Sequence, residues 1–263
     1  MYGEISKYAL TIFSYAAIAS SAFAQDDASG GQSLSQAASD PTASIMSFQL
    51  QEFYTANYHN STSANGNRLQ FRAAIPFTIG GLNNIARLTA PYITDSPSGA
   101  SGFSDMTLFN LVTFNQPWGR WGVGAVALLP TGESGLSARK WGLGPALGFT
   151  AQKDKILWGA FNQNIFTVGG DNSRPDVNVS IIQPIFNYSL SNGWSTGVSE
   201  MSITYDWEQE KFTSMPLGIK LAKLTTIGKQ KVQFIGSYER NFYDTGVVPR
   251  DLFSFTVKLL VPK

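Results

Sequence analysis

The residues of this sequence that could do chemistry are charged side chains set at even intervals in otherwise uncharged segments. Arg68 and Arg72 are four positions apart, and Arg87 follows in the next segment. Glu200 and Asp206 are six positions apart later in the chain. Because residues an even number of positions apart along a β-strand share a face, each set predicts a charged strip. A basic strip opposite an acidic strip would create a transverse field that selects anionic or dipolar solutes.

Three more charged residues are predicted to lie on the same inner faces. The full set of candidate lumen and selectivity residues is Arg68, Arg72, Arg87, Glu200, Asp206, Lys220, Glu239 and Lys258. A purely structural interpretation stays open beside this one. In it, Glu200 pairs with Lys220 on the adjacent strand and the charges only fill the interior.

The only histidine, His59, stands two residues before Ser61. On a strand these two side chains would share a face, as a serine and its general base could. The neighbours Asn60, Thr62 and Ser63 are polar, however, and favour a solvated loop. We therefore predict no catalytic residue and no enzyme, with lipid hydrolysis by a barrel as the alternative.

Metal, cofactor and nucleic-acid binding have no support in the sequence. With no cysteine and one histidine, only oxygen ligands remain for a metal, and neither a calcium loop nor a phosphate-binding glycine loop occurs. The 19 basic and 18 acidic residues give a net charge of +1, which offers no basic surface to nucleic acid. We predict no metal, no cofactor and no nucleic-acid partner.

The elements that must position the charged residues are alternating segments of about ten residues, typical of strands. We predict about twelve, an even number that returns the chain to the side from which it entered. They are Phe48–Tyr58, Arg68–Phe77, Ile85–Ile93, Met106–Asn115, Arg120–Leu129, Trp141–Gln152, Leu157–Val168, Val177–Leu190, Trp194–Trp207, Thr213–Leu224, Val232–Phe242 and Leu252–Val261.

The hairpin around Asn192-Gly193 shows the alternation best, because Asn-Gly between alternating segments is a strong turn signal. Its second segment has one apolar face and one polar face. A soluble sandwich would bury the apolar face, whereas a transmembrane barrel turns it to lipid. Only 14% of the residues are charged and 13% are aromatic, against about a quarter charged in soluble domains, which favours the barrel.

The connections between the segments alternate between short turns and longer polar loops, as in an up-and-down barrel. The predicted short turns are 78–84, 115–119, 153–155 and 191–193, and the predicted longer loops are 59–67, 94–104, 131–139, 169–176 and 243–250. A closed structural or adhesive barrel that acts through loops 94–104 and 131–139 is the alternative to a channel.

All six tryptophans fall near predicted strand ends. Trp118, Trp121, Trp158 and Trp194 flank the short turns, and Trp141 and Trp207 lie at the opposite end. Amphipathic rings are most stable at the two membrane interfaces, so these residues predict aromatic girdles.

The N-terminus is predicted to be a cleaved signal peptide over residues 1–24, with an apolar stretch from Tyr8 to Ala19 and a small-residue cleavage site at Ala22-Phe23-Ala24. The alternative is a membrane-anchored helix. Residues 25–44 are rich in Gly, Ser, Ala and Gln, and predict a flexible lead. A plug in the barrel mouth is the alternative. Residues 45–263 then form the barrel.

Six motifs resemble the outer-membrane transporter family labelled MetA-pathway of phenol degradation. They are TDSPSG at 94–99, FNQPWGRWGVG at 114–124, KWGLGPA at 140–146, FNQN at 161–164, RPDVN at 174–178 and YDW at 205–207. The resemblance implies a bacterial outer-membrane barrel that passes small, aromatic or hydrophobic molecules. One feature departs from such barrels, which commonly end on an aromatic residue, whereas this chain ends Leu260-Val261-Pro262-Lys263.

Together these features predict an all-β protein, an antiparallel up-and-down transmembrane β-barrel of about twelve strands. We expect passive transport, since no nucleotide-binding motif is found. The expected partners are outer-membrane lipid, a small-molecule solute and the barrel-assembly machinery.

Overall fold

The computed structural model describes residues 27–28, 32–62 and 65–261. Its main element is a closed barrel of twelve antiparallel strands, in which each strand pairs with the next and the last pairs with the first. The predicted fold class is confirmed. A two-sheet sandwich is excluded, because the single sheet closes on itself.

Each predicted segment overlaps one barrel strand, with boundaries that differ by a few residues. The strands are β1 Met46–Tyr58, β2 Gly66–Ile79, β3 Leu82–Asp95, β4 Met106–Gln116, β5 Gly119–Leu129, β6 Lys140–Lys153, β7 Ile156–Gly170, β8 Val179–Ser189, β9 Trp194–Val198 with Ile203–Asp206, β10 Lys211–Ser214 with Pro216–Ile227, β11 Gln230–Asn241 and β12 Pro249–Val261. A short strand, Gly102–Phe103, pairs with β3 outside this series.

The distribution of apolar and polar side chains between the outer and inner faces of the barrel is the reverse of that in a soluble protein. On β2, Leu69, Phe71 and Ile75 are exposed on the outer surface. The buried inner positions include polar side chains such as Gln49 on β1 and Gln233 on β11. This arrangement fits an apolar surrounding outside the barrel and a polar interior. Among the described residues, no helix has the length and apolarity needed to cross a membrane.

The two ends of the barrel differ as predicted. Residues 80–81, 117–118, 154–155, 190–193 and 228–229 make tight turns at the short-turn end. The described connections at the long-loop end are residues 59–62 with 65, 96–105, 130–139, 171–178, 207–210 and 242–248. Asn192 and Gly193 have φ values of 56° and 72°, the left-handed conformation of a two-residue hairpin turn.

The long loops are tied down by hydrogen bonds to carboxylates. Asp105 accepts the backbone N–H groups of Gly132 at 2.9 Å and Ala138 at 2.8 Å. Asp171 accepts the hydroxyl of Ser173 at 2.6 Å and its N–H at 2.9 Å, and these bonds lower the pKa of the Asp171 carboxyl. The long-loop end is therefore ordered by local side-chain contacts.

The tryptophans lie where the sequence predicts them, at strand ends and on the outer surface. Their exposed fractions range from 36% for Trp121 to 53% for Trp207. Rings so placed suit the interface between hydrocarbon and water. Their role as membrane girdles stays a prediction.

Strand β9 is not continuous, although the sequence predicts one strand from Trp194 to Trp207. Residues 199–202 leave the sheet, and residues 183–186 of β8 consequently lack backbone partners on the β9 side. Ser199 and Met201 are only 2% and 5% exposed, which shows that the segment turns inward. A side-chain hydrogen bond from Gln183 Nε2 to Ser202 Oγ, at 3.1 Å, spans the break.

The segment from Gln32 onward is folded, contrary to the prediction of a flexible lead over residues 25–44. Helix α1, Leu34–Ser39, begins with a capping box in which Ser33 and Gln36 satisfy each other's backbone N–H groups. Leu34 and Ala38 pack against Leu260. Composition predicted disorder because this segment cannot form a core alone, but the barrel wall supplies the partners. The predicted signal peptide lies outside the described residues.

Candidate functional site: the barrel lumen

The barrel interior contains a cavity of about 90 Å³. On one side it is bounded by α1 and the residues that follow it, and on the others by the inner wall. The wall contributes Arg72, Arg87, Glu200, Lys220 and Lys258. Five of the eight predicted selectivity residues thus lie around one cavity.

A close ion pair in the cavity joins two distant strands. Arg72 Nη1, on β2, lies 2.5 Å from Glu200 Oε2, in the inward break of β9. The sequence places these two charges on opposite walls, and the structure brings them into contact. The ion-pair partner of Glu200 is Arg72 rather than the Lys220 of the structural interpretation. The ion pair therefore crosses the lumen from β2 to β9.

The remaining basic residues have few partners. Arg87 packs its guanidinium over Phe109, 4.1 Å from the ring centroid, and lies 5.6 Å from that of Phe161. Arg68 stacks in the same way on Phe53, at 4.3 Å. Such contacts stabilise a cation without neutralising it. Among the described residues, the Lys220 ammonium makes neither a hydrogen bond nor an ion pair within 4.0 Å.

The other predicted candidates divide. Lys258 is 5% exposed, and its ammonium donates to the carbonyl of Ala38 in α1 at 2.8 Å. Glu239 faces the interior beside Gly218 on β10 and forms no ion pair with a described residue. Asp206 does not join the cavity. Its carboxylate accepts hydrogen bonds from residues 208 and 209 in the turn at the long-loop end.

One side of the lumen, on β4–β7, carries an apolar cluster, which the sequence does not predict. The aromatic rings of Phe109 on β4 and Phe161 on β7 are 5.2 Å apart although their strands are not neighbours, so both rings must point inward. The cluster comprises Phe109, Leu111, Val126, Leu128, Ala146, Phe161 and Ile165. The lumen therefore has an apolar wall, formed by this cluster on β4–β7, and a charged wall, formed by Arg72, Arg87, Glu200, Lys220 and Lys258 on β2, β3, β9, β10 and β12.

Asp40, directly after α1, is the centre of the contacts that hold the N-terminal segment in the lumen. It is 7% exposed, and one oxygen lies 3.2 Å from Arg120 Nη1. The Thr150 hydroxyl donates to the same carboxylate at 3.1 Å. Further contacts are Gln36 Nε2 to the Asp154 carbonyl at 2.8 Å and Ser39 Oγ to Asn187 Oδ1 at 3.3 Å.

Residues 32–44 therefore lie in the lumen at the short-turn end, and we call them the plug. Their composition favoured a flexible lead over this arrangement. The sequence gives no indication that this segment is anchored by Asp40, Arg120 and Thr150. The spacing Ser33-x-x-Gln36 is a capping-box signal that could have revealed the helix. No local signal links Asp40 to Arg120, which is 80 positions away.

His59 lies at the long-loop end, far from the cavity. Its Nε2 is 2.9 Å from the backbone carbonyl of Asn241, and its Nδ1 is 4.0 Å from Asp244. These contacts attach the first long loop to the end of β11. Within the described part of the chain, no group of three His, Cys, Asp or Glu side chains is placed to hold a metal.

Comparison of the structure with solved structures identifies the fold as that of outer-membrane β-barrels. The COG4313 outer membrane channel from Pseudomonas putida F1 aligns with a TM-score of 0.56 at 12% identity, over 82% of this chain and 94% of that chain. Outer membrane phospholipase A from Escherichia coli aligns with a TM-score of 0.43 at 11% identity, over 82% and 92% of the two chains. At these identities the likeness concerns the fold alone.

A mutant porin from Rh. blastica aligns more weakly, with a TM-score of 0.29 at 9% identity, over 82% of this chain and 99% of that chain. The sequence itself matches no family model and no curated protein. The resemblance to the MetA-pathway family therefore stays a prediction.

Proposed function

We propose that the protein is a passive channel for small molecules in the bacterial outer membrane, closed at the periplasmic end by residues 32–44. The observation that supports this most directly is the cavity between the plug and the charged wall. Charged side chains inside a membrane-spanning structure are costly unless water or a solute accompanies them. A merely structural interior would be expected to pair them directly, whereas Arg87 and Lys220 form no ion pair within 4.0 Å among the described residues.

The plug is attached in a way that permits release. Its contacts to the wall are hydrogen bonds, one ion pair and a small apolar contact of Leu34 and Ala38 with Leu260. None of them belongs to the strand ladders that close the barrel. Because the short turns of such barrels face the periplasm, release would open the periplasmic side.

The apolar wall supports solutes with a hydrophobic or aromatic part. Phe161 borders the cavity together with Ile85 and Ile185, and Arg87 lies over the neighbouring Phe109 ring. A solute with an apolar side could lie along β4–β7 while its polar groups meet the charged strands. This arrangement agrees with the solute class that the family resemblance implies.

Planar-bilayer recording tests the proposal. We expect the purified full-length protein to show rare or small conductance steps, and a variant that lacks residues 25–44 to show frequent, larger ones. Heat-dependent gel mobility would establish that both barrels are folded. As a matched control, scrambling residues 25–31 alone should leave the recordings unchanged, because every anchoring contact described above lies from Gln32 onward.

The absence of conductance steps from both the full-length protein and the variant, with both barrels folded, would contradict the channel proposal. It would favour the second candidate, a closed barrel that acts through its outer loops, which the ordered loops around Asp105 support. We propose no enzymatic role, because the His59 Nε2 is engaged by the backbone carbonyl of Asn241.

A further inference from the structure

The charges around the lumen cavity do not balance. Four basic residues line it, Arg72, Arg87, Lys220 and Lys258, against two acidic ones, Glu200 and Asp40, and Asp40 is already paired with Arg120. Glu200 is already paired with Arg72, and Lys258 donates to a carbonyl of the plug. Arg87 and Lys220 form no ion pair within 4.0 Å in the described part of the chain. Unpaired charges in such a setting call for an anion.

The geometry of Arg87 indicates what kind of anion would bind beside it. One face of its guanidinium is covered by the Phe109 ring, so its N–H groups are directed sideways, in the plane of the group. Its Nε is buried and has no hydrogen-bond acceptor. A planar guanidinium with free in-plane donors matches the two oxygens of a carboxylate, which it can bind with two parallel hydrogen bonds.

The surroundings of Arg87 indicate the rest of the ligand. Ile85, Phe161 and Ile185 line the same cavity and are apolar. A volume of about 90 Å³ corresponds to roughly three waters of liquid. Because the cavity is partly open, it can hold a carboxylate while a small apolar body lies along its mouth. A hydrated inorganic ion would leave this apolar surface uncovered, whereas an organic acid with an apolar body would cover it.

We propose that the cavity is a binding site for small amphipathic organic acids, with the carboxylate held by Arg87 and Lys220 and the apolar body against Phe161 and Ile185. This proposal rests on the proposed channel function, since it names the class of solute that the channel selects. It differs from a site for neutral aromatic or hydrophobic molecules, which could not balance the two cations.

Ligand-dependent thermal stability of the full-length barrel in detergent tests the proposal without any requirement for conductance. Benzoate, benzyl alcohol and sodium chloride would be compared at matched ionic strength. We expect benzoate to raise the unfolding temperature saturably, and the other two to have little effect. Equal stabilisation by benzyl alcohol would overturn the proposal, and saturable stabilisation by chloride would replace it with a site for inorganic anions.

Variants assign the effect to the site. Arg87→Gln should weaken the apparent benzoate affinity by at least about tenfold, because a charged donor to the carboxylate is lost. Arg87→Lys keeps the positive charge but lacks the planar guanidinium, so it should weaken the apparent benzoate affinity less. Arg174→Gln, on an exposed part of a long loop, should bind as the parent does. Unchanged benzoate affinity in a folded Arg87→Gln barrel would refute the assignment.

Lys220→Gln provides a second variant if Arg87→Gln does not fold, and it should also weaken benzoate binding. The binding result and the channel result are separable. Conductance without stabilisation by benzoate would reject the organic-acid site alone. Stabilisation by benzoate, with no conductance from the full-length protein or from the variant lacking residues 25–44, would reject the channel alone.

Discussion

Asp40→Asn is the sharpest test of how the plug is held. The substitution keeps the size and shape of the side chain and removes its charge. It leaves Arg120, which is 8% exposed, without its ion-pair partner. The barrel strands should be unaffected, because Asp40 takes part in no strand pairing. We therefore expect the plug to loosen while the barrel stays closed as a sheet.

The size of the effect follows from the burial of the pair. Loss of one partner from a buried ion pair typically costs about 3–5 kcal/mol. The lower end applies here, since the asparagine oxygen can still accept from Thr150 and Arg120 can still donate to the Thr42 carbonyl at 3.0 Å. About 3 kcal/mol raises the ratio of undocked to docked plug by roughly 100-fold.

Single-channel recording measures this ratio as the open probability. The control is Asp154→Asn, the same chemical change at the same end of the barrel on an exposed turn residue. Only the backbone carbonyl of Asp154 contacts the plug, so the control should match the parent. An open probability that is equal in Asp40→Asn and Asp154→Asn, with both barrels folded, would refute the idea that this carboxylate holds the plug.

Three further predictions concern the lumen. Lys258→Met removes the hydrogen bond to the helix carbonyl and should raise the open probability by up to about tenfold, less than Asp40→Asn does. Phe161→Ala should destabilise the barrel by about 3 kcal/mol in urea unfolding from lipid vesicles, whereas Phe166→Ala, on the outer surface, should cost clearly less. In the variant lacking residues 25–44, Glu200→Gln should shift the reversal potential in a KCl gradient toward anion preference, with Glu208→Gln in the outer turn as the control; a shift toward cations would contradict the charge assignment.

Strand positions could be predicted from the sequence because they depend on a local signal. Alternation of apolar and polar residues fixes which side chains face outward, as in Leu69 and Phe71 on β2, and the neighbouring turns fix where each strand ends. The inward orientation of Arg68, Arg72 and Arg87 follows from the same period. These features require no knowledge of distant parts of the chain.

Contacts across the lumen could not be predicted in this way. Alternation places Arg72 and Glu200 on inner faces but does not give their depth along the barrel axis. It also gave no sign that β9 breaks at Ser199, which lets Glu200 reach across the lumen. The plug could not be predicted for a related reason. Residues 32–44 are folded because of contacts with partners such as Arg120 and Thr150, which are far away in sequence.

The division of the lumen into two halves explains why a plug fits at all. A ring of twelve strands is wider than a barrel that side chains alone can fill, and narrower than an open porin. On β4–β7, side chains such as Phe109 and Phe161 pack inward and give the barrel a core of its own. Beside this core, around the charged wall, the lumen keeps space. A helix of 6 residues fits that remaining space. Its anchors come from two sides of the barrel, Arg120 on β5 and Lys258 on β12, so a polar segment that has no core of its own becomes ordered there without becoming part of the sheet.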